Sequence, residues 1–364
     1  MSKIDYTTKQ LITYIGNKRR LLDFIEAEII TIKQKLGKDQ ITSFDGFSGT
    51  GSVARLLKYH SSDLIVNDLE GYSYTINSCY LKTPSKKVQQ EINKIIDELN
   101  NLTFDVEGVI CNNYAPKDTF NVQKGERAFY TRENALIIDT IREKIKDYPT
   151  EYFDYLIAPL LVKASINTNT SGVFKGFHKK KDIGHFGGKD EVNTESRITK
   201  KIVLEKPIFS TQKHKCDVFL FKNDINEVIK ELPPVDVAYL DPPYNQHPYG
   251  SNYFMLNTIL TNEVGEKLSK VSGIPQDWKR SDYNYTKSAS DSIKELISGI
   301  DAKYIIMSYN NEGIISEQGM KDIISELNYD YEIKKKDYNA YRGSRNLQDR
   351  DTMVEEQLWI IKKI

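Results

Sequence analysis

Ile41-Thr42-Ser43-Phe44-Asp45-Gly46-Phe47-Ser48-Gly49-Thr50-Gly51 reads as a short strand running into a glycine loop. Val53 to Tyr59 then has the pattern of a helix, and Asp63 to Asn67 that of a second strand, ending at Asp68. Strand, glycine loop, helix, strand and acid, in that order, mark a doubly wound α/β sheet that binds a nucleotide-like ligand. Glycines in such a loop let backbone approach the ligand without a Cβ in the way. No lysine follows Gly51, which excludes a Walker A loop, and Ala54 and Arg55 stand where a dinucleotide fingerprint has its third glycine. A carboxylate at Asp68, just past the second strand, is placed to accept the two hydroxyls of a ribose.

Working outward, Leu21 to Leu36 carries apolar residues at helical spacing and stops at Gly37. The strand pattern returns at Asp217–Asp224, at Asp236–Leu240, which runs into Asp241-Pro242-Pro243-Tyr244, and at Lys303–Tyr309. Asn328–Lys335 and Glu356–Lys362 read as a hairpin closing the edge, giving about seven strands in one sheet. Residues 70–215 interrupt this pattern. Val88–Leu99 and Thr131–Ile145 look helical, with Thr131 as N-cap of the second, and the chain beyond Thr168 is rich in Gly, Lys, Asn and Thr. The division expected is a catalytic unit of residues 1–69 and 216–364, with 70–215 as an inserted helical and β-hairpin target-recognition region.

A length of 364 residues fits about two domains or one domain with a large insertion. Lys plus Arg and Asp plus Glu both number 51, which argues against a strongly basic protein that coats nucleic acid non-specifically and leaves room for a local basic patch. Charge is nevertheless segregated: from Lys163 to Lys222 there are 13 basic and 6 acidic residues, as in a chain with one face turned to a polyanion. The 39% hydrophobic content supports a packed core and argues against disorder. Cys79, Cys111 and Cys216 form no CxxC pair, which points away from a disulfide framework or a zinc site and towards a reducing compartment. The N-terminus has no apolar signal segment, and the apolar stretch Tyr155–Val162 is too short to cross a bilayer. The expectation is a soluble, cytoplasmic protein that acts as a monomer and binds no membrane and no metal.

The most specific chemistry lies in Asp241-Pro242-Pro243-Tyr244. Two prolines fix the backbone and remove two N–H donors. The Asp241 carboxylate and the carbonyls then make a pocket of acceptors, suited to an exocyclic amine, and Tyr244 offers a ring on which a planar base can stack. A second signal is Ser171 to Lys189, where aromatic and basic residues alternate at a spacing that suits a β-hairpin: Lys175, Phe177, His178, Lys179, Lys180, Lys181, His185, Phe186 and Lys189. The lysines would neutralise phosphates while the uncharged positions read or wedge between bases. Trp278-Lys279-Arg280 with Tyr283 and Tyr285 is a weaker candidate for the same task.

These residues, with Tyr14-Ile15-Gly16-Asn17-Lys18-Arg19, Asp224 and Ser308-Tyr309-Asn310-Asn311-Glu312-Gly313, resemble the DNA adenine-N6 methyltransferases of the Dam type, and more closely the FokI-methylase-like branch. The likeness covers nearly the whole chain, in the family's order of cofactor motif, target-recognition region and catalytic motif. Gly46 stands where that family commonly has proline. The resemblance implies S-adenosyl-L-methionine as cofactor, with Tyr14 and Lys18 at its methionine end. The loop with Asp45, Phe47, Gly49 and Gly51 would lie beneath it, Asp68 on the ribose and Asp224 on the adenine amine. It also implies that Asp241, Pro242, Pro243 and Tyr244 hold a flipped target adenine of double-stranded DNA, with a separate cognate restriction endonuclease as possible companion. The alternatives are cytosine-N4 methylation, against which Asp rather than Ser at position 241 speaks, RNA or protein amide methylation, where Asn is commoner there, and a catalytically silent DNA-binding protein, against which the intact motifs speak.

Overall fold

The computed structural model describes residues 2–187, 197–278, 280–339 and 353–363. Lys189 and Lys279 lie outside the described residues. The main sheet is built from β1 (Ile41–Asp45), β2 (Ser61–Asn67), β5 (Asp217–Phe221), β6 (Val235–Leu240), β7 (Ala302–Asn310), β8 (Asp330–Asn339) and β9 (Met353–Lys362), while β3 (Lys179–Lys180) and β4 (Ile183–Gly184) form a separate two-stranded hairpin. The spatial order is β5-β2-β1-β6-β7-β9-β8. The first five strands in that order pair in parallel, and β9 is antiparallel to both β7 and β8. All seven expected strands are present, each with its bounds shifted by a few residues.

Alternation along the central strands fixes which residues face which layer. On one face Val237, Tyr239, Ile306 and Leu358 pack with Ile25, Ile29 and Ile32 of the helix Leu22–Leu36 and with Leu56 and Leu57 of the helix Ser52–Lys58. On the other, Ala238, Leu240, Ile305, Met307 and Trp359 meet the helices Ala289–Gly299 and Glu317–Glu326. Gly37 ends the first of these helices in the left-handed conformation at φ 64°, as its position in the sequence predicts.

Residues 71–166 fold as helices around a third core. Its members include Ile92, Ile96, Ile138, Leu156 and Leu160, with Leu11, Ile12 and Tyr253–Leu256 contributed by more distant parts of the chain. The helix Arg132–Lys144 starts at Thr131, whose side chain accepts from Asn134 N, the cap expected from sequence. The apolar stretch Tyr155–Val162 is the middle of the buried helix Phe153–Ile166. Among the described residues no helix is long and apolar enough to cross a membrane.

Strand order decides where a ligand can sit. The chain leaves β1 towards β2 and β5 on one side, and β6 leads to β7 on the other. The crevice at the carboxyl ends of β1 and β6 is therefore the topological switch point, the usual ligand site of an open α/β sheet.

Candidate active site

A cleft opens at that switch point. Its lining includes Tyr14, Lys18, Asp45, Phe47, Gly49, Asp68, Asp224, Asp241, Pro243 and Tyr249. Residues drawn from distant stretches of sequence thus converge at the ends of adjacent strands.

The glycine loop turns with Gly49 at φ 50° and Gly51 at φ 71°. A side chain at Gly51 would collide with Asn77 Oδ1, and one at Gly49 would press on the Tyr14 ring at 3.0 Å. Glycine is required at both by conformation and by space. Asn77 is buried and donates to Ser48 Oγ (3.0 Å) and the Gly49 carbonyl (3.3 Å), fixing the loop from beneath. Gly46 departs from the proline common in the resembled family, and a Cβ added there would stand 2.5 Å from Ile225 Cδ1, so even a methyl group would displace a core residue.

Asp68 accepts from Gly49 N at 2.7 Å and from Glu70 N at 2.9 Å, tying the end of β2 to the loop. Burial raises its carboxyl above the ordinary aspartate value against those two bonds. Asp224 caps the short helix Ile225–Val228 through Asn226 N at 2.9 Å while lining the cleft. Tyr14 stacks on Tyr253 and Tyr249, with ring centroids at 4.6 and 5.0 Å, and its hydroxyl meets that of Tyr72 at 3.1 Å. The tyrosine cluster makes one wall of the cleft.

Asp45 provides a direct test of the implied cofactor. Its side chain is buried, lines the cleft, and neither carboxylate oxygen has a well-formed hydrogen bond. Burial, with Asp241 and Asp68 nearby, outweighs the pull of the Phe47 and Ala54 amides and holds its carboxyl well above the usual range. A buried, under-satisfied carboxylate at a cleft wall calls for a cationic ligand group. An ammonium meets that need, and with the glycine cradle and the acids at the ends of β2 and β5 the site fits S-adenosylmethionine.

The second half of the cleft is a charge network. Lys18 Nζ lies 2.9 Å from Asp241 Oδ1 and 3.5 Å from Glu356 Oε1, and donates to the Gly16 carbonyl at 3.3 Å. Lys18 is 3% exposed and Glu356 fully buried, so neither charge is tolerable without the other. Burial alone would depress the Lys18 ammonium, but Asp241 and Glu356 outweigh it and hold its pKa well above normal. Burial pushes Asp241 up to about 6, with Lys18 pulling it down and Glu356 adding to the rise. Ser308 Oγ donates to Glu356 Oε1, which joins β7 and β9 behind the pocket. Tyr244 stands beside this network with Lys18 Nζ 5.7 Å from its ring centre, and its edge meets Tyr309 at 6.2 Å.

Lys18 lines the cleft beside Tyr14, and its ammonium is held by Asp241, Glu356 and the Gly16 carbonyl, so it also serves the Asp241 pocket. Phe177 and Phe186 are 9% and 8% exposed, and the Phe177 ring packs on Phe129 at 5.1 Å. Both rings are buried and anchor the hairpin, since a short hairpin needs an apolar underside to hold it on the domain. Lys179, Lys180, Lys181 and His185 are exposed, His178 is half-buried, and Lys175 lies 3.5 Å from His247 of the loop after Tyr244. The turn places Lys181 and Asp182 at φ 49° and 65°, the paired left-handed residues of a type I′ hairpin. Arg280 donates to the Gln246 carbonyl at 3.1 Å and stacks on Tyr285, which ties that stretch to the Asp241–Tyr244 loop.

The sequence alone does not single out Glu356. Its signal is its phase: it falls with Val354, Leu358 and Ile360 on the inward side of β9, where an acid has no reason to be unless paired.

The sheet order, the glycine cradle and the acidic cleft define an S-adenosylmethionine-dependent methyltransferase. A sequence profile described as D12 class N6 adenine-specific DNA methyltransferase matches residues 14–323, and the chain belongs to that family. It is 30% identical over 357 residues to the type II methyltransferase M.CviAII of Paramecium bursaria Chlorella virus 1, covering 96% of this chain and 98% of that one. It is 29% identical to M.NlaIII of Neisseria lactamica over 96% and 99% of the two chains. M.FokI of Planomicrobium okeanokoites is 27% identical, with the match covering 96% of this chain and 53% of that longer protein.

Proposed function

We propose that this chain is the modification enzyme of a restriction-modification pair, methylating N6 of an adenine flipped out of duplex DNA, with Asp241 and the Pro242 carbonyl accepting the two amine hydrogens. The observation that carries the reading is the Lys18–Asp241 ion pair beside Tyr244, at the switch point and next to the glycine cradle.

Adenine N6 is a weak nucleophile because its lone pair is conjugated to the ring. Acceptance of both N–H bonds draws that lone pair out of the plane. Asp241, with a pKa near 6, is a stronger acceptor than an ordinary carboxylate yet still mostly ionised at neutral pH. Lys18 prevents it from taking up a proton too readily, and Glu356 prevents Lys18 from quenching it. Tyr244 stacks on the extruded base and returns part of the few kcal/mol that unstacking costs. The bound sulfonium supplies an electrophilic methyl group, and positioning of the two partners contributes much of the rate. Asp45 holds the ammonium of the cofactor, Asp68 the ribose and Asp224 the adenine amine, while Tyr14 and Phe47 wall the site. Residues 70–215 form the target-recognition region, whose hairpin lysines meet phosphates. The enzyme works as a monomer in the cytoplasm.

Incubation of the purified protein with labelled cofactor and duplex DNA, followed by nucleoside analysis, tests the assignment. Label in N6-methyladenine is expected. Label in N4-methylcytosine, in RNA or in protein, or none at all, would sink it. Methylome sequencing of a methylation-free bacterium expressing the chain then gives the site.

Two further outcomes follow from the geometry. Asp68→Ala should weaken cofactor binding about 10- to 150-fold, the loss of roughly 1.5–3 kcal/mol of hydrogen bonds to a charged group, and an unchanged dissociation constant in calorimetry would remove the ribose role. The pH profile of kcat/KM should fall on the acid side through about 6, where Asp241 protonates. In Glu356→Gln the negative neighbour that raises Asp241 is gone, so the acid limb should move to lower pH. A limb that stays in place or moves up would show that Glu356 does not act on Asp241.

A further inference from the structure

Phe120 is 99% exposed, a phenylalanine ring held entirely in solvent. It sits on a loop that is built rather than slack. Asp118 Oδ1 accepts from Phe120 N at 2.9 Å, and Thr119 Oγ1 accepts from Arg132 N at 2.8 Å. The Glu126 carboxylate accepts from Lys117 N at 3.0 Å and Gln123 N at 2.7 Å, closing the loop's base. A loop fixed by such bonds loses little freedom when it binds, which is the property of a preorganised contact.

Its surroundings say what it contacts. Val122 lies against Gly184 of the hairpin, close enough that a Cβ on Gly184 would stand 3.3 Å from Val122 Cγ1. Asn169 Nδ2 donates to both the Ala128 carbonyl (2.8 Å) and the His185 carbonyl (3.0 Å), joining the two segments. Arg127 bonds the Val271 carbonyl at 3.3 Å, and Ser272 Oγ donates to the Lys175 carbonyl at 2.7 Å. Three loops, 116–127, 171–187 and 269–273, are therefore clamped together, and Lys175 joins them to His247 beside the Asp241–Tyr244 loop. Lys117, Lys124, Lys179, Lys180 and Lys181 are exposed on this cluster. Of its acids, Asp118 and Glu126 already accept from backbone N–H groups, and Asp182 occupies the hairpin turn.

We infer that Phe120 is a wedge that inserts between base pairs of the duplex bound by the adjoining basic hairpin. The inference rests on duplex DNA being the substrate. An exposed aromatic ring on a loop that also exposes Lys117 and Lys124, clamped to the basic hairpin, suits an apolar protein partner poorly, whereas duplex DNA offers phosphates to the lysines and a stack to the ring. Insertion unstacks neighbouring base pairs and kinks the helix, which eases the extrusion of a base nearby.

The test compares Phe120→Ala and Phe120→Trp with the wild type, using a duplex that carries the site identified by methylome sequencing. Binding is measured at several salt concentrations. Because Phe120 has no packing to lose, melting temperature and cofactor affinity should be unchanged in both variants. Phe120→Ala should bind the duplex roughly 5- to 150-fold more weakly, the range of one base–aromatic stack, with the salt slope unaltered, and Phe120→Trp should restore affinity. Affinity within twofold of wild type in Phe120→Ala overturns the wedge, as does a loss that lowers the salt slope or that Phe120→Trp leaves in place. Failure of the wild-type protein to bind or methylate duplex DNA overturns instead the substrate reading beneath it.

Discussion

Asp241→Asn should lower single-turnover methylation at least a hundredfold while leaving duplex affinity within a few-fold of wild type. The substitution keeps shape and one acceptor oxygen, but it removes the charge and turns one edge into a donor. That donor faces two donors, the adenine amine and Lys18 Nζ, which stands 2.9 Å from Oδ1 in the native site. Loss of one preorganised group aimed at charge developing in the transition state typically costs about 10²–10³ in kcat, and the mismatch with buried Lys18 adds to it. The basic hairpin proposed to meet the phosphates is a separate element from this pocket, so duplex affinity should survive. The expected signature is a fall in kcat with a small change in KM for DNA, and with the acid limb near pH 6 gone because the titrating group is gone. Turnover within tenfold of wild type, with that limb intact, would place amine activation on another residue.

Much of this site is legible in the amino-acid sequence. The motifs around Asp45, Asp68, Asp224 and Asp241 each follow a strand, and strand ends in a doubly wound sheet must share one edge. The reading of seven strands with an antiparallel edge hairpin follows from period-two patterns that burial enforces. The parts that stay hidden depend on pairings between distant segments. Lys18 is read from sequence as a cofactor contact, and its pairing with Glu356 shows only once β9 brings that acid to its back. Phe177 and Phe186 look like base contacts because the sequence shows aromatics among lysines without showing which of them are buried. In the fold the Phe177 ring packs on Phe129 and Phe186 is buried, while Lys179, Lys180 and Lys181 stay exposed. Phe120 carries no signal at all, since a phenylalanine between polar residues in a loop is read as a small anchor until its exposure is known.

That division of the hairpin into an apolar underside and a basic outside sets the size of the effect expected when its charge is removed. Lys179, Lys180 and Lys181 are all exposed, and their replacement by Ala leaves the anchors Phe177 and Phe186 untouched, so the hairpin itself should persist. Every phosphate left without its lysine should reduce the slope of log affinity against log salt by about 0.9. Successive residues in a strand point to opposite sides, so between one and three of these lysines face a given duplex. The slope should therefore drop by about 0.9 to 2.7, and affinity at 0.1 M salt by roughly 8- to 500-fold. The weakening should be equal on the methylated site and on unrelated duplex, because phosphates carry no sequence. The ratio of specific to non-specific binding, and kcat at saturating DNA, should be preserved. Binding titrations on both duplexes from about 0.05 to 0.2 M salt read all of these quantities together. An unaltered slope would move the phosphate contacts off the hairpin. Another basic candidate is Arg280, stacked on Tyr285 and bonded to the Gln246 carbonyl beside the catalytic loop. A changed specificity ratio with an unaltered slope would mean instead that these lysines read base edges.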